Sequence, residues 1–492
     1  MMRAVFDRLS ALLALALVLA SLWGLQSMRQ GIVITQQTVG QTPVIRYAFE
    51  DASGPVIVVA HGFAGSAQMM QAYALTLAQA GFRVFIFDFE GHGRNPVPMS
   101  GDVTAIDGTT RLLMDQTLEV VGAVAEPDRP TGVLGHSMAT DVLVRAALTD
   151  DVDIGPLVLL SAFSGAVTAD APRDMVMIAG QWEQRLRDFG LEAVQMIDAD
   201  AREGDLVRDG DVVRKAVSLP YIEHVSILHS RAGQQEALDW FNGAFEQDGE
   251  VEIVASGWWL MGLLAGIVWL ARPLARLLPQ RETDVAILPA REVWLMALVP
   301  AVSVPVIATY LDVQVLPVLV ADYLALHLFI FGVFQLGALW RLNLLRLRVS
   351  ASGVAALLFW GLAVFGLALD RYGANFVPIP ARWWIIAALS LGTLPFMLAD
   401  ALATQGGMAP LWERMVLRVG FFASLIWAVV LDFEGLFFLM LIAPVMVLFY
   451  VVYGFMGRWV ALRVGPATSG VALGLILAYA LGVSFPLFAA GG

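Results

Sequence analysis

Apolar residues follow two unlike patterns along this chain. Up to about residue 250 they come in short runs closed by glycine or polar residues. Pro55–Ala60, Arg83–Phe87, the run through Val133-Leu134, Leu157–Leu160 and Met175–Gly180 are such runs, rich in β-branched residues. That length and composition predict strands buried on both faces. Ile32–Ile34 and Val44–Tyr47 read as shorter strands, and helices are predicted at Ala67–Ala80, Thr110–Ala125 and Thr140–Leu148. Strand alternating with helix predicts an α/β fold with a mainly parallel sheet over residues 30–250.

Beyond Val254 the apolar blocks lengthen to the roughly 20 residues that cross a bilayer. Eight are expected, at 254–271, 291–311, 314–340, 352–369, 383–402, 416–431, 435–457 and 467–488. Ser10–Leu25 is a further apolar run behind Arg3 and Arg8, without a small-x-small cleavage site before Gln26-Ser27, and reads as a retained anchor. The expected organisation is an anchor in residues 1–29, an α/β domain in 30–250 and an all-α membrane domain in 251–492.

Composition supports the division. Hydrophobic residues make up 58% of the chain and its mean hydropathy is +0.71, above the roughly 45–50% apolar content of soluble domains. With no cysteine there is no disulfide, thiolate metal site or cysteine nucleophile. The net charge of −13 is concentrated between Arg29 and Glu250, where 31 Asp and Glu face 15 Lys and Arg. So acidic a region argues against a nucleic-acid partner, since phosphate binding needs clustered basic residues.

Arginines also set an expected orientation. Arg272, Arg276 and Arg281, then Arg341, Arg346 and Arg348, then Arg414 and Arg418, then Arg458 and Arg463 fall in alternate loops. The other loops carry Asp312, Asp370, Asp432 and Glu434, with Arg371 and Arg382 as exceptions. Basic loops stay cytoplasmic, so residues 30–250 are expected outside the cytoplasm, in the periplasm if the membrane is a bacterial inner membrane.

The candidate chemistry centres on Gly135-His136-Ser137-Met138-Ala139, a buried strand end, a tight turn and a helix start. It differs by one methyl from the Gly-x-Ser-x-Gly nucleophile elbow, where small residues flank the serine because bulk would clash. His61-Gly62-Phe63 and Asp88-Phe89-Glu90-Gly91-His92-Gly93 precede it. On these three motifs, in this order, residues 32–245 resemble the α/β-hydrolase superfamily, closest to its lysophospholipase and serine-aminopeptidase-like branch.

The resemblance implies a triad in the order serine, acid, histidine. A serine hydroxyl needs an imidazole to take its proton, and the imidazole needs a carboxylate to hold its tautomer. Only His224 and His229 follow Ser137 before the membrane blocks. His224 falls where a strand runs into a loop, and is preferred. His229 is expected early in a helix ending near Phe245. For the acid, relatives place a carboxylate just after the strand-closing glycine, which points to Glu183, with Asp188 second. The resemblance implies an oxyanion hole from the backbone N–H groups of Phe63 and Met138. His61, His92 and His136 read as turn residues. No ligand spacing supports a metal site, and no cofactor is expected. The dozen residues between Leu160 and Met175 leave little room for a lid.

Asp322, His327 and Asp400 lie inside apolar blocks, where ionisable groups are costly and point to function or to helix packing. The reading is a membrane-bound serine hydrolase acting on an ester, with a lipid or other acylated small molecule as substrate. Its rival is a transporter or sensor whose hydrolase-like domain only binds ligand.

Overall fold

The computed structural model describes residues 2–101, 106–281 and 288–489. The chain divides into two compact units. One comprises Leu19–Gly262, with Asp370–Asn375 and the residues from Pro486; the other comprises Met1–Val18, Leu263–Leu369 and Phe376–Phe485.

The first unit is built on nine strands: β1 Val33–Val39, β2 Thr42–Ala48, β3 Val56–Ala60, β4 Arg83–Phe87, β5 Thr131–His136, β6 Ile154–Leu160, β7 Asp174–Gly180, β8 Leu206–Asp209 and β9 Val212–Leu219. They form one sheet in the order β1-β2-β4-β3-β5-β6-β7-β9-β8. From β4 through β3, β5, β6 and β7 to β9 the pairings are parallel; the outer pairs β1–β2, β2–β4 and β8–β9 are antiparallel. The sheet is therefore mixed but mainly parallel. Ile57, Val59, Leu134, Val158, Val176 and Ile178 share one core beneath flanking helices, which explains why the central strands read as continuous apolar runs.

The edges depart from expectation. β1 and β2 are longer than the predicted segments. The β8–β9 hairpin was not predicted, because half of its residues are exposed or charged and no apolar run marks it. Its two-residue turn is Gly210-Asp211, between the paired Asp209 and Val212, with Gly210 at φ 54°, the positive φ that glycine supplies at the first central position of a hairpin turn. His229 lies in a 3₁₀ turn, Ser226–His229, ahead of the helix Arg231–Phe245 rather than within it.

Two outlying segments belong to this unit by specific bonds. Arg94 Nη2 donates to Asp370 Oδ2 at 2.6 Å, and Asn375 N donates to Ser66 Oγ at 3.0 Å. Leu487 and Ala489 exchange backbone hydrogen bonds with Gly91 and Met99.

Among the described residues, nine helices are long and apolar enough to cross a membrane. In the helical unit, glycines let backbones approach closely. A Cβ on Gly392 would stand 2.2 Å from Ala325 O, and one on Gly332 would stand 2.5 Å from Phe396 N. Small residues at such crossings are how helices pack without a hydrophobic driving force. Several bounds differ from expectation. The blocks expected at 254–271, 352–369 and 435–457 run on to Ala275, Tyr372 and Val464, so Arg272, Asp370, Arg371, Arg458 and Arg463 lie inside helices and not in loops. The third expected block starts only at Ala321, because Asp322 Oδ2 accepts from the backbone N–H groups of Val315 and Leu316 and folds that segment against the helix start. The helix expected at 416 starts at Leu411, so Arg414 and Arg418 lie inside it and not in a loop.

Candidate active site

The site begins with backbone geometry at the end of β5. Ser137 has φ 54° and ψ −119°, a strained conformation for a side chain with a Cβ. It is held there from both sides: Ser137 N donates to Leu160 O at 2.9 Å, and Thr140 returns its N–H and hydroxyl to Ser137 O at 2.9 and 2.7 Å. The turn tolerates no bulk. A Cβ on Gly135 would meet Leu143 at 2.6 Å and the Ala139 methyl at 3.3 Å. Glycine at 135 thus leaves room for alanine at 139.

His224 stands over this turn, with its Nε2 2.9 Å from Ser137 Oγ and its Nδ1 2.5 Å from Glu183 Oε1. The ring is 43% exposed and the carboxylate 7%. The loop carrying His224 is shaped by its neighbour Glu223, whose carboxylate accepts from Val225 N and Ser226 N.

Glu183 follows the end of β7 and is the best-satisfied group of the three. Besides His224, its Oε2 accepts from Gly180 N at 2.7 Å and from Ser161 Oγ at 2.8 Å. Burial would raise this carboxyl, but hydrogen bonds from His224, Gly180 N and Ser161 outweigh it and hold the group below its ordinary value. It is therefore ionised at neutral pH. Asp188 instead accepts from Gln184 on an exposed helix face, and the Nδ1 of half-buried His229 lies 3.1 Å from Ser256 Oγ. The fold brings Ser137, Glu183 and His224 together and leaves Asp188 and His229 out.

Phe63 and Met138 flank the serine. Met138 opens the helix Met138–Ala147, where N–H groups and the helix dipole favour negative charge. Phe63 follows Gly62, at which a Cβ would stand 3.0 Å from Ser137 Cβ. His61 braces that loop: its Nδ1–H donates to Gly62 O at 2.8 Å, and its Nε2 accepts from Phe89 N at 3.1 Å. Burial pushes its pKa down, so it serves as a neutral strut.

Three further residues support the site: Ser161 and Arg214, which carry no sequence signal, and His136 of the serine motif. Ser161 orients Glu183 from 22 residues away. His136 donates from Nε2 to His224 O at 2.8 Å; burial, then the neighbouring His224, push its pKa down to about 4. Fully buried Arg214 donates to the carbonyls of Thr168, Ala169, Pro172 and Ala193, pinning the segment 161–173, which holds no helix or strand.

Large apolar side chains stand exposed around the triad. Trp182 precedes Glu183, Tyr221 and Val225 bracket His224, and Phe163 is tied by its backbone to Thr140 beside Ser137. Among the described residues no cluster of His, Asp or Glu is arranged to hold a metal.

The polar groups of the helical unit are paired otherwise. Asp400 takes a bidentate hydrogen bond from Arg418, and His327 Nε2 meets Ser424 Oγ at 2.9 Å. Asp322 accepts from Val315 N and Leu316 N ahead of its helix, and none of the three meets another.

Residues 52–233 match the protein family described as serine aminopeptidase, S33. A Variovorax paradoxus (strain S110) protein described as “Putative carbamate hydrolase RutD” is 27% identical over 113 residues, 23% of this chain and 40% of that protein. The chain thus spans less than half the length of that relative. Similar solved structures include a “predicted CIB-like hydrolase” from Thermoplasma acidophilum, at 12% identity and TM-score 0.35, covering 43% of this chain and 100% of that one. A dienelactone hydrolase from Anabaena variabilis shows 16% identity and TM-score 0.32, covering 43% and 97%.

Proposed function

Because residues 52–233 are an α/β-hydrolase domain in a chain that continues into many long apolar helices, we propose that this protein is a membrane-bound serine hydrolase cleaving an ester. The observation that carries the reading is the continuous hydrogen-bonded line from Ser137 Oγ through His224 to Glu183. In this reading His224 Nε2 takes the Ser137 proton as Oγ attacks the substrate carbonyl carbon. The electron pair of the broken C=O π bond goes to its oxygen, which receives N–H groups from Phe63 and Met138. Glu183 steadies the imidazolium through Nδ1–H. His224 then passes the proton to the departing alkoxide, leaving acyl-Ser137. A water, deprotonated by the same nitrogen, releases the acid and restores the serine.

The exposed Phe163, Trp182, Tyr221 and Val225 support an apolar acyl group, from a lipid or another acylated small molecule, as the substrate portion beside the serine. The distribution of arginines supports an extracytoplasmic hydrolase domain, periplasmic in a bacterial inner membrane.

A fluorophosphonate probe on membranes carrying the full chain tests the chemistry. Wild type is expected to label and Ser137→Ala to lose the label entirely. A membrane-impermeant form of the probe, expected to label intact cells without permeabilisation, tests the side. A folded wild type that never labels would overturn the enzyme reading and favour a ligand-binding transporter or sensor.

A further inference from the structure

Away from the triad, the helical unit contains a cavity of about 220 Å³ that the hydrolase chemistry leaves unused. Asp400, Arg414, Arg418, Tyr450 and Arg458 line it. Of the three guanidinium groups, only that of Arg418 is neutralised: it pairs with Asp400 at 3.0 and 3.1 Å and lies 4.2 Å above the Tyr450 ring. Arg414 and Arg458 make no ion pair with a described residue. The Arg414 Nε and the Tyr450 hydroxyl are buried without a hydrogen-bond partner among the described residues. Such donors are costly to leave unmet.

Gln405, Gly406 and Gly407 follow one another at φ 55°, 62° and 82°, and the Arg458 stem packs 3.4 Å from where a Gly407 Cβ would stand. A neighbouring cavity of about 580 Å³ shares Arg458 and Phe455 and adds Arg272, Arg276 and Arg463. Those last two are already engaged, Arg276 with Asp7 and Arg463 with backbone carbonyls. Within the first cavity, Arg414 and Arg458 are the guanidinium groups with no carboxylate partner among the described residues.

We propose that this cavity binds a phosphate-type oxyanion, held between Arg414, Arg458 and the Tyr450 hydroxyl. Two guanidinium forks and a phenol match the several acceptor oxygens of a phosphate, which arginine engages bidentately. Topology alone asks only for arginines near span ends; it gives no reason for a buried phenol and a buried guanidinium nitrogen to line one void. The volume exceeds the roughly 30 Å³ share of one water severalfold, enough for a phosphate group. Phe449, Phe455 and Leu473 continue the wall as apolar surface, which suits the head group of an anionic phospholipid as well as free phosphate.

The test uses the full chain, purified and delipidated in non-ionic detergent. Phosphatidylglycerol and phosphatidylcholine are titrated by native mass spectrometry, and ³²P-labelled inorganic phosphate by equilibrium dialysis. Phosphatidylglycerol binding that falls at least about tenfold in Arg414→Gln/Arg458→Gln, the worth of one charge-assisted hydrogen bond, establishes a lipid head group. The same dependence for inorganic phosphate establishes the free ion. Tyr450→Phe, which removes one oxygen, is expected to weaken the same ligand a few-fold, and decides the matter if the double variant fails to fold. Retention of neither probe, equal retention by wild type and variants, or phosphatidylcholine binding as tight as phosphatidylglycerol would overturn the proposal.

Discussion

The chain contains two histidine–serine pairs with the same contact distance and opposite character. In the sheet unit His224 Nε2 lies 2.9 Å from Ser137 Oγ; in the helical unit His327 Nε2 lies 2.9 Å from Ser424 Oγ. What separates them is the far side of each ring and the access to it. Behind His224 is a buried carboxylate at 2.5 Å; behind His327 is only the Tyr323 hydroxyl at 3.4 Å. His224 is half-exposed on a loop, whereas His327 and Ser424 are sealed between helices among Phe331 and Phe421. A serine next to an imidazole is a hydrogen bond. It becomes a candidate nucleophile when a carboxylate can stabilise the imidazolium and a substrate can reach it.

The largest effects should therefore divide the two pairs. His224→Gln should lower ester hydrolysis by at least about 10⁴, the scale at which triad members act. His327→Gln should leave turnover per folded molecule unchanged and show its cost in thermal stability. Glu183→Gln should lose about 10³–10⁴, since an amide cannot support the imidazolium. Hydrolysis of a nitrophenyl ester by the full-length chain, normalised to folded protein, measures all three. Equal losses at His224 and His327 would erase the distinction.

How much of this was legible follows from where each signal lies. The strands β3 to β7 announce themselves because each is buried on both faces and closed by a turn residue. Glu183 and His224 could be named because strand ends and chain order narrow the candidates. Ser161 could not, as nothing local marks a hydroxyl that serves an acid 22 residues away. Arg214 misleads on pattern alone: a charged residue in a strand reads as solvent-facing, yet carbonyls of 168–172 and 193 surround it. Asp370 reads as a loop charge because its partner, Arg94, is 276 residues distant. The β8–β9 hairpin has its turn signal in Gly210-Asp211 but lacks the apolar alternation that marks a strand pair.

A smaller effect distinguishes the units by pH. His136 is buried and its folded-state pKa is pushed down to about 4, from an ordinary 6.5. The unfolded chain therefore takes up this proton first as pH falls. Stability is complete above pH 6.5 and drains away between about 6.5 and 4, by about 3 kcal/mol at most. His61, lowered by burial, adds to the loss in the same direction. His136→Gln keeps an N–H for His224 O and removes the titration, so its denaturation midpoint should change less between pH 7 and pH 5 than that of wild type. An unchanged slope would show that His136 does not govern the acid sensitivity of this unit.

The smallest effect probes how finely the carboxylate is held. Glu183 accepts three hydrogen bonds, and the Ser161 hydroxyl is the one whose removal leaves the chain path intact. Ser161 sits at φ 52°, so Ser161→Gly deletes the hydroxyl while easing the backbone, and a loss cannot be assigned to new strain. One hydrogen bond of about 1–2 kcal/mol predicts a fall in kcat/KM of roughly three- to tenfold. The sign of the accompanying pH change is fixed. Ser161 is one of the groups that lower the Glu183 pKa, so without it the carboxylate holds its proton to higher pH, and the acid limb of the rate profile moves upward. A fall in activity with an unmoved acid limb would mean that Ser161 only supports the segment 161–173. A fall joined to the upward shift would mean that it acts through Glu183, a connection that Ser424 has no carboxylate to make.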